Sequence, residues 1–373
     1  MTEKNLTLMA VGDIILKNQN PESYFTLVAP TLRSGDVVIG QGEIPYTNRP
    51  VRTTETMSAE DPESMNGLTF AGFNVITLTG NHLWDAGEPG IEDTIAWLKE
   101  HNIIPVGAGM NISEARRPAI IEKKKTRVGI LSYNCVGPRE TWASPTKPGC
   151  AYVNVLTHYE LDHAVPGGTP IVYTFSDPDT LDSMLDDIRN LRTLCDVLVV
   201  SLHKGIIHTP AVLARYELDL SHAAIDAGAD LILGHHAHIL KGIEVYKGKV
   251  IFHGLNQLVA TLPSLAPKPN QDPKSWAQKR KRLYNFEPDP ENPNYPFHPD
   301  SKQTIIAKYL VEDGKIKKVS YLPCLINKKG QPEILKHDER GEKIFDYMVK
   351  ITTAADLKAR FEWDGDEVLI SGG

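Results

Sequence analysis

Cysteine is scarce and scattered in this sequence. Its four thiols, Cys135, Cys150, Cys195 and Cys324, show no C-x-x-C spacing, so neither a disulfide framework nor a thiolate zinc site is signalled and they read as reduced packing residues. Long apolar runs are missing too: none approaches the ~18 residues of a membrane helix. The N-terminal stretch MTEKNLTLMAVGD also lacks the apolar core of a signal peptide. A cytoplasmic location with no membrane partner is the expectation. Nor is there an excess of basic charge. With a net charge of -7 and a basic run, Lys279-Arg280-Lys281-Arg282, too short to make an electrostatic footprint, nucleic acid is excluded as a partner; the run reads as a solvated helix face. No internal repeat is found.

What is present is an ordinary globular composition, 373 residues that are 41% hydrophobic and 23% charged, enough for a sizeable core. Short apolar runs alternate with helical patterns, which signals layered α/β architecture. The strand candidates are LTLMAV, DVVIG, NVITLT, IIPVG, RVGILSY, DVLVVSLH, LILG and KVIFHG. Being nearly continuous in apolar residues, they suggest a sheet buried on both faces. Asp61-Pro62 opens a helix closed by Gly72, Ile91, Ile95 and Leu98 mark a second, and Asp177-Pro178 opens a third with Leu181, Leu185, Ile188 and Leu191 at helical spacing. A fourth is predicted from Pro210 to Ala227, stopping at Gly228.

Two regions break the pattern. Residues 263–299 carry Pro263, Pro267, Pro269, Pro273, Pro288, Pro290, Pro293, Pro296 and Pro299 among the aromatics Trp276, Tyr284, Phe286, Tyr295 and Phe297. No regular element can run throughout, so the stretch is a lid candidate or a partner surface. After it, TIIAKYLVEDGKIKKVSYLPCLIN reads as a hairpin turning at Glu312-Asp313-Gly314. The expected organisation is a catalytic core over 1–262, a Pro-rich insert over 263–300, and a hairpin and helix over 301–373 that complete the same domain.

The chemistry gathers where strands stop. TGNHLWDAG, residues 79–87, sets a carboxamide, an imidazole and Asp85 directly after an apolar run. The same happens elsewhere: VGD ends in Asp13, VVIGQGE in Glu43, ITLTGNH in Asn81 and His82, VSLHKG in His203, and ILGHHAH holds His235, His236 and His238. Sites in open α/β sheets form where the carboxyl ends of strands converge. Carboxylate, carboxamide and imidazole together suit Mn²⁺, Fe²⁺ or Zn²⁺. Asn81 can be a weak ligand but not an acid or base, whereas His82 can carry a proton. His236 and His238, two apart on an extended segment, are expected to share one side while His235 points away. Asp85 either orients His82 or caps the next helix. Asn256 in HGLN is either a turn former or an active-site residue. His208 and Arg215 read as surface residues and Cys135 as packing rather than a nucleophile.

VGD, the Glu closing the next strand, AGFNVITLTGNHLWDAG, SLHKG and DAGADLILGHHAHILKGIEVYKGKVIFHGLN resemble, in order and spacing over roughly residues 6 to 256, the CapA family. That family is named for poly-γ-glutamate capsule proteins and belongs to the calcineurin-like metallophosphoesterase superfamily. The resemblance implies a four-layer α/β/β/α sandwich with a metal centre at one edge. It implies that Asp13 and His238 serve one metal, that Asn81, His203 and His236 hold the second, and that Glu43 stands where the superfamily has a bridging Asp. His82 would donate a proton and Asp85 would orient it. Where the superfamily opens with D-x-H, this sequence has Ile15, so either one or two ions are implied.

The implied function is hydrolysis by metal-activated water with His82 as general acid. The lost imidazole and the family's link to γ-glutamyl chains favour an amide bond, γ-glutamyl or peptide-like, in a small molecule or short polymer. Phosphoester hydrolysis is one alternative and a non-catalytic capsule assembly subunit is another. A homo-oligomer is left open.

Overall fold

Two sheets packed face to face hold most of the chain in this computed structural model, which describes residues 5–17, 20–51, 53, 59–160, 170–262 and 265–372. With strands numbered in chain order, the larger sheet runs β19 (Arg360–Asp364), β20 (Glu367–Ser371), β17 (Lys315–Ile326), β16 (Gln303–Glu312), β1 (Asn5–Ile15), β2 (Val37–Gly42), β3 (Val75–Thr77), β4 (Ile104–Val106). β15 (Gln257–Ala260) lies parallel to the end of β1, and β18 (Pro332–Ile334) pairs with β17. The second sheet runs β13 (Ile243–Tyr246), β14 (Lys249–Phe252), β12 (Leu231–His236), β11 (Val197–Lys204), β7 (Thr126–Asn134), β6 (Ala119–Lys123). Two small ribbons, β5 (Ala108–Gly109) with β8 (Gly149–Cys150) and β9 (Val155–Glu160) with β10 (Ile171–Ser176), stand apart. The helices are α1 (Ala29–Leu32), α2 (Asn66–Ala71), α3 (Gly87–Glu100), α4 (Ile112–Ala115), α5 (Pro178–Arg192), α6 (Arg215–Ala227), α7 (Pro273–Tyr284) and α8 (Glu339–Ala354).

Strand alternation explains the layering. In β1, Leu6, Leu8 and Ala10 pack with Val128, Ile130, Val199 and Leu231 of the other sheet, while Met9 and Val11 turn to the cluster of Leu68 in α2 and Ile91 and Leu98 in α3. In β11, Leu198, Val200 and Leu202 join Met184 and Ile188 of α5 and Leu220 of α6. Each strand thus divides its apolar side chains between a central layer and a helical one. The result is the four-layer α/β/β/α sandwich that the resemblance implied. It corrects the single sheet suggested by the apolar runs: burial on both faces is equally true of a strand in either sheet of a sandwich.

All eight strand candidates form strands. Asp61 caps a short turn over Pro62–Met65 through its carboxylate on the Glu63 N–H (2.9 Å), and α2 closes at left-handed Gly72. Asp177 caps α5. The fourth predicted helix begins at Arg215, not Pro210, because Ala211 takes a positive φ (56°) and the Glu217 carboxylate accepts from the Ala214 N–H (2.7 Å), which sets the start of α6. The β16–β17 hairpin turns through Asp313 and Gly314, both at positive φ, and β16 pairs antiparallel with β1. Within 265–299 no strand forms, and Pro273 at the first helical turn opens the 12-residue α7. Pro263 lies outside the described residues. No helix among the described residues is long and apolar enough to cross a membrane.

Candidate metal centre

The ends of β1, β2 and β3 from the large sheet meet those of β11 and β12 from the second at one edge of the sandwich. Close backbone approach makes this possible. A Cβ on Gly12 would stand 2.0 Å from the Asn256 carbonyl oxygen, and one on Gly234 would stand 2.2 Å from that of His253. Asp13 N–H donates to the same Asn256 oxygen (3.0 Å). Asn256 itself has φ 64° and its Nδ2 donates to the Ser301 and Gln303 carbonyls, each at 2.7 Å, a geometry that suits a turn, while its buried Oδ1 has no hydrogen-bond partner among the described residues.

The six residues expected to act as ligands come together here. Asn81 Oδ1 lies 3.0 Å from His203 Nε2 and 3.0 Å from His236 Nδ1. Glu43 spans the cluster, with Oε2 at 3.7 Å from His203 Nε2 and Oε1 at 3.7 Å from His238 Nε2. Asp13 Oδ2 lies 3.6 Å from His238 Nδ1 and accepts from the His236 N–H (3.0 Å). Two groups result, Glu43 with His203 and His236, and Asp13 with Glu43 and His238; in each, one candidate ligand atom per residue lies within 4.8 Å of the others. The two groups share Glu43. The oxygen donors all come from the large sheet and the imidazoles all come from the second.

The electrostatics of this cluster fit a cation. Asp13 and Glu43 are buried, and Asp13 Oδ1 and both Glu43 oxygens have no hydrogen-bond partner among the described residues. Burial, then the neighbouring Asp13 and Asp85, holds the Glu43 carboxyl well above the usual range. Burial, reinforced by neighbouring imidazoles, pushes His203 and His236 well below theirs. His238 is also lowered by burial, against the pull of Asp13. Buried carboxylates without donors are costly, and neutral imidazoles offer lone pairs. A divalent ion with mixed O/N preference fits both.

Beside the cluster, His82 Nδ1 lies 2.7 Å from Asp85 Oδ2, with His82 at 19% side-chain exposure and Asp85 at 3%. α3 is preceded by Ala86 with no side-chain cap. Of the two readings of Asp85, orienting His82 is therefore the one the geometry supports.

Two expectations are corrected. His235 does not point away: it is buried, and its Nδ1 lies 3.2 Å from Asp13 Oδ1. His235 continues the alternation of Leu231 and Leu233 in β12, which face the layer between the sheets, whereas His236 (φ 80°) and His238 (φ 48°) are the residues that leave the extended region. His208 is not a surface residue. Its ring lies 5.9 Å from that of His238, 4.7 Å from Phe286 and 5.8 Å from Phe297, and burial pushes its pKa down to about 3. Phe286 and Phe297 come from the Pro-rich segment and His238 from just after β12, so nothing local could have signalled this. Arg215 is exposed, as a surface residue is expected to be, and Cys135 is buried with its thiol pushed up to about 12 by burial, as expected of a packing residue.

Other residues at the site escaped the sequence reading. His238 Nδ1 bonds to Gln257 Oε1 (2.9 Å), Gln257 Nε2 donates to the Tyr295 hydroxyl (2.6 Å), and that hydroxyl donates to the Ser301 carbonyl (2.5 Å). With the Phe297 ring 5.5 Å from that of His238, the Pro-rich segment walls one side of the centre. Behind β11, fully buried Lys204 sits between Glu217 Oε2 (3.3 Å) and His253 Nδ1 (3.1 Å), and His253 Nε2 reaches Glu244 Oε2 (3.0 Å). Burial and the Lys204 charge push His253 down to about 4.

Residues 7–261 match the family model described as bacterial capsule synthesis protein PGA_cap. The chain is 28% identical over 271 residues to the capsule biosynthesis protein CapA of Bacillus anthracis, covering 69% of this chain and 60% of that protein. It is 29% identical over 266 residues to the PGA biosynthesis protein CapA of Bacillus subtilis, covering 68% and 63%. It therefore spans only about 60% of the length of these relatives. Among solved structures, the calcineurin-like phosphoesterase YfkN of Bacillus subtilis aligns with a TM-score of 0.42 at 13% identity over 94% of this chain and 98% of that one. So distant a likeness carries no argument.

Proposed function

The chain belongs to the bacterial capsule synthesis protein PGA_cap family, and from that premise and the geometry of the edge cluster we propose that it is a metal-dependent hydrolase of an amide bond. The observation that carries the reading is the meeting of Asp13 and Glu43, three of whose carboxylate oxygens accept no hydrogen bond among the described residues, with the imidazoles of His203 and His236, which burial holds well below their usual range. Asp13, Glu43, Asn81, His203, His236 and His238 would hold one or two ions of Mn, Zn or Fe. When bound, a divalent ion supplies positive charge that polarises the scissile group and acidifies water. Asp85 fixes His82 through Nδ1, which leaves Nε2 to carry a proton to the leaving group. Gln257 holds His238 at Nδ1 and so leaves Nε2 towards Glu43. A protonated leaving amine gives His82 a task even where no phosphate is cleaved. Ile15, buried where the superfamily has an imidazole, further supports a departure from phosphoester chemistry.

Phosphoester hydrolysis is the second reading, favoured by the superfamily; a non-catalytic capsule assembly role is the third, favoured by the printed names of the relatives. A cytoplasmic location belongs to the proposal and is checked by cell fractionation. The deciding experiment is metal analysis of protein purified without chelator, joined to a screen of phosphoesters and of N-acyl and γ-glutamyl amides. Bound metal with amide turnover that His82→Ala abolishes supports the hydrolase. A metal-free protein silent on every substrate points to assembly.

A further inference from the structure

His236 also lines a cleft of about 1160 Å³, so whatever occupies that cleft lies directly beside the candidate metal centre. Its walls are of two kinds. Leu156 of β9, Val172 of β10, and Ile206 and Ile207 after β11 face it, and three of these are well exposed: Val172 at 52%, Ile206 at 39% and Ile207 at 43%. Single exposed aliphatic side chains are common, but several gathered around one concavity beside polar groups mark a ligand site. The second kind is cationic. Arg139 and Arg215 line the same cleft, and no Asp, Glu or Lys is among its described lining residues. The Arg139 guanidinium stacks over Trp142 at 5.5 Å from the ring centroid, and among the described residues Arg215 makes an exposed pairing with Asp219 at 3.6 Å, which an incoming carboxylate can displace.

We propose that this cleft selects an amphipathic monoanion as substrate: an acyl or aromatic group lies along Leu156, Val172, Ile206 and Ile207, and one carboxylate meets Arg139 and Arg215. The proposal rests on the hydrolase reading and gives its substrate class. A chain carrying a carboxylate on every unit fits less well, because it would bring several charges against aliphatic walls that cannot solvate them. N-acylated amino acids, with one apolar arm, one amide and one carboxylate, have the required pattern.

The test reads binding, not turnover. N-acetyl-, N-hexanoyl- and N-decanoylglycine are titrated by calorimetry into the full chain, once with chelator and once with Mn²⁺. Affinity is expected to rise about two- to fourfold per added methylene while the chain stays in the cleft, and N-decanoylglycinamide should bind about tenfold more weakly than the acid. Val172→Ser with Ile206→Ser and Ile207→Ser, all at exposed positions, should flatten the chain-length series. Arg139→Gln with Arg215→Gln should erase the difference between acid and amide. Equal affinity across the series, tighter binding of a γ-linked glutamate trimer than of N-decanoylglycine, or a series unchanged in the serine variant would each overturn the proposal. Any of these leaves metal content and His82-dependent hydrolysis intact. Conversely, a catalytically silent protein that binds the series as expected defeats the hydrolase reading alone.

Discussion

Glu43→Gln keeps the shape of the side chain and removes the charge common to both ligand groups, which separates a carboxylate serving a cation from one serving the fold. Glu43 is 1% exposed, and neither of its oxygens finds a donor among the described residues. In the metal-free protein its charge opposes folding, since burial first and Asp13 and Asp85 next hold the carboxyl well above the usual range. Between the ordinary carboxylate range and that raised value the folded state holds the extra proton, so stability falls as pH rises. Glutamine has no such equilibrium. The metal-free variant should therefore match or exceed the native protein in stability at neutral pH and lose that downward slope. With metal the sign reverses. At free ion near 100 times Kd, the native protein gains roughly 2.7 kcal/mol. Weakening Kd by about 100-fold, the upper figure for loss of even an outer partner of a metal site, cuts the gain to about 0.4 kcal/mol. Urea unfolding of both proteins with chelator and with Mn²⁺, together with metal content, measures this. A variant several kcal/mol weaker than native in chelator that still takes up the same metal would refute the reasoning, because Glu43 would then be paired within the fold.

His82→Ala should retain metal and lose turnover on the order of 10²–10⁴-fold, and Asp85→Asn should follow it in the same direction; loss of metal from either would move these residues into the ligand set. Gln257→Leu removes the partner of His238 Nδ1, and metal affinity by calorimetry should fall about 10- to 100-fold. His253, lowered from 6.5 to about 4, is neutral in the fold and gains a proton more readily when unfolded. Its contribution is complete above pH 6.5 and erodes as pH falls towards 4, by on the order of 3 kcal/mol. Denaturant unfolding across pH should show a shallower acid limb in His253→Gln, and parallel limbs would rule the residue out as its source.

The strand ends were legible because a buried strand needs an almost unbroken apolar run, against which Asp13, Glu43, Asn81 and His203 stand out. The division into two sheets was not, since Leu8 and Met9 are both apolar although they face different layers. The direction of His236 and His238 depends on their positive φ, which no periodicity records. Contacts such as those of His208 with Phe286 and of Gln257 with Tyr295 join distant segments and exist only once the fold has closed. The β9–β10 ribbon went unread for a related reason: its outward residues, among them Tyr159, Ile171 and Phe175, do not follow the inside–outside rule that makes a strand visible.

The oxygen ligands belong to one sheet and the imidazoles to the other, and this division bears on time as well as on affinity. A chain that has formed only β1 to β3 presents carboxylates and a carboxamide, and one that has formed only β11 and β12 presents imidazoles; neither half is a complete binding site. Capture of the proposed ion would therefore wait until the layers have docked and would template neither of them. In the reverse direction, separating the sheets across the Leu8–Val199 layer would require the proposed ion's bonds on one side to break before much apolar surface is wetted. An ion held by both sheets, as proposed, would act as a rivet through the sandwich, with its main effect on the rate at which the molecule comes apart.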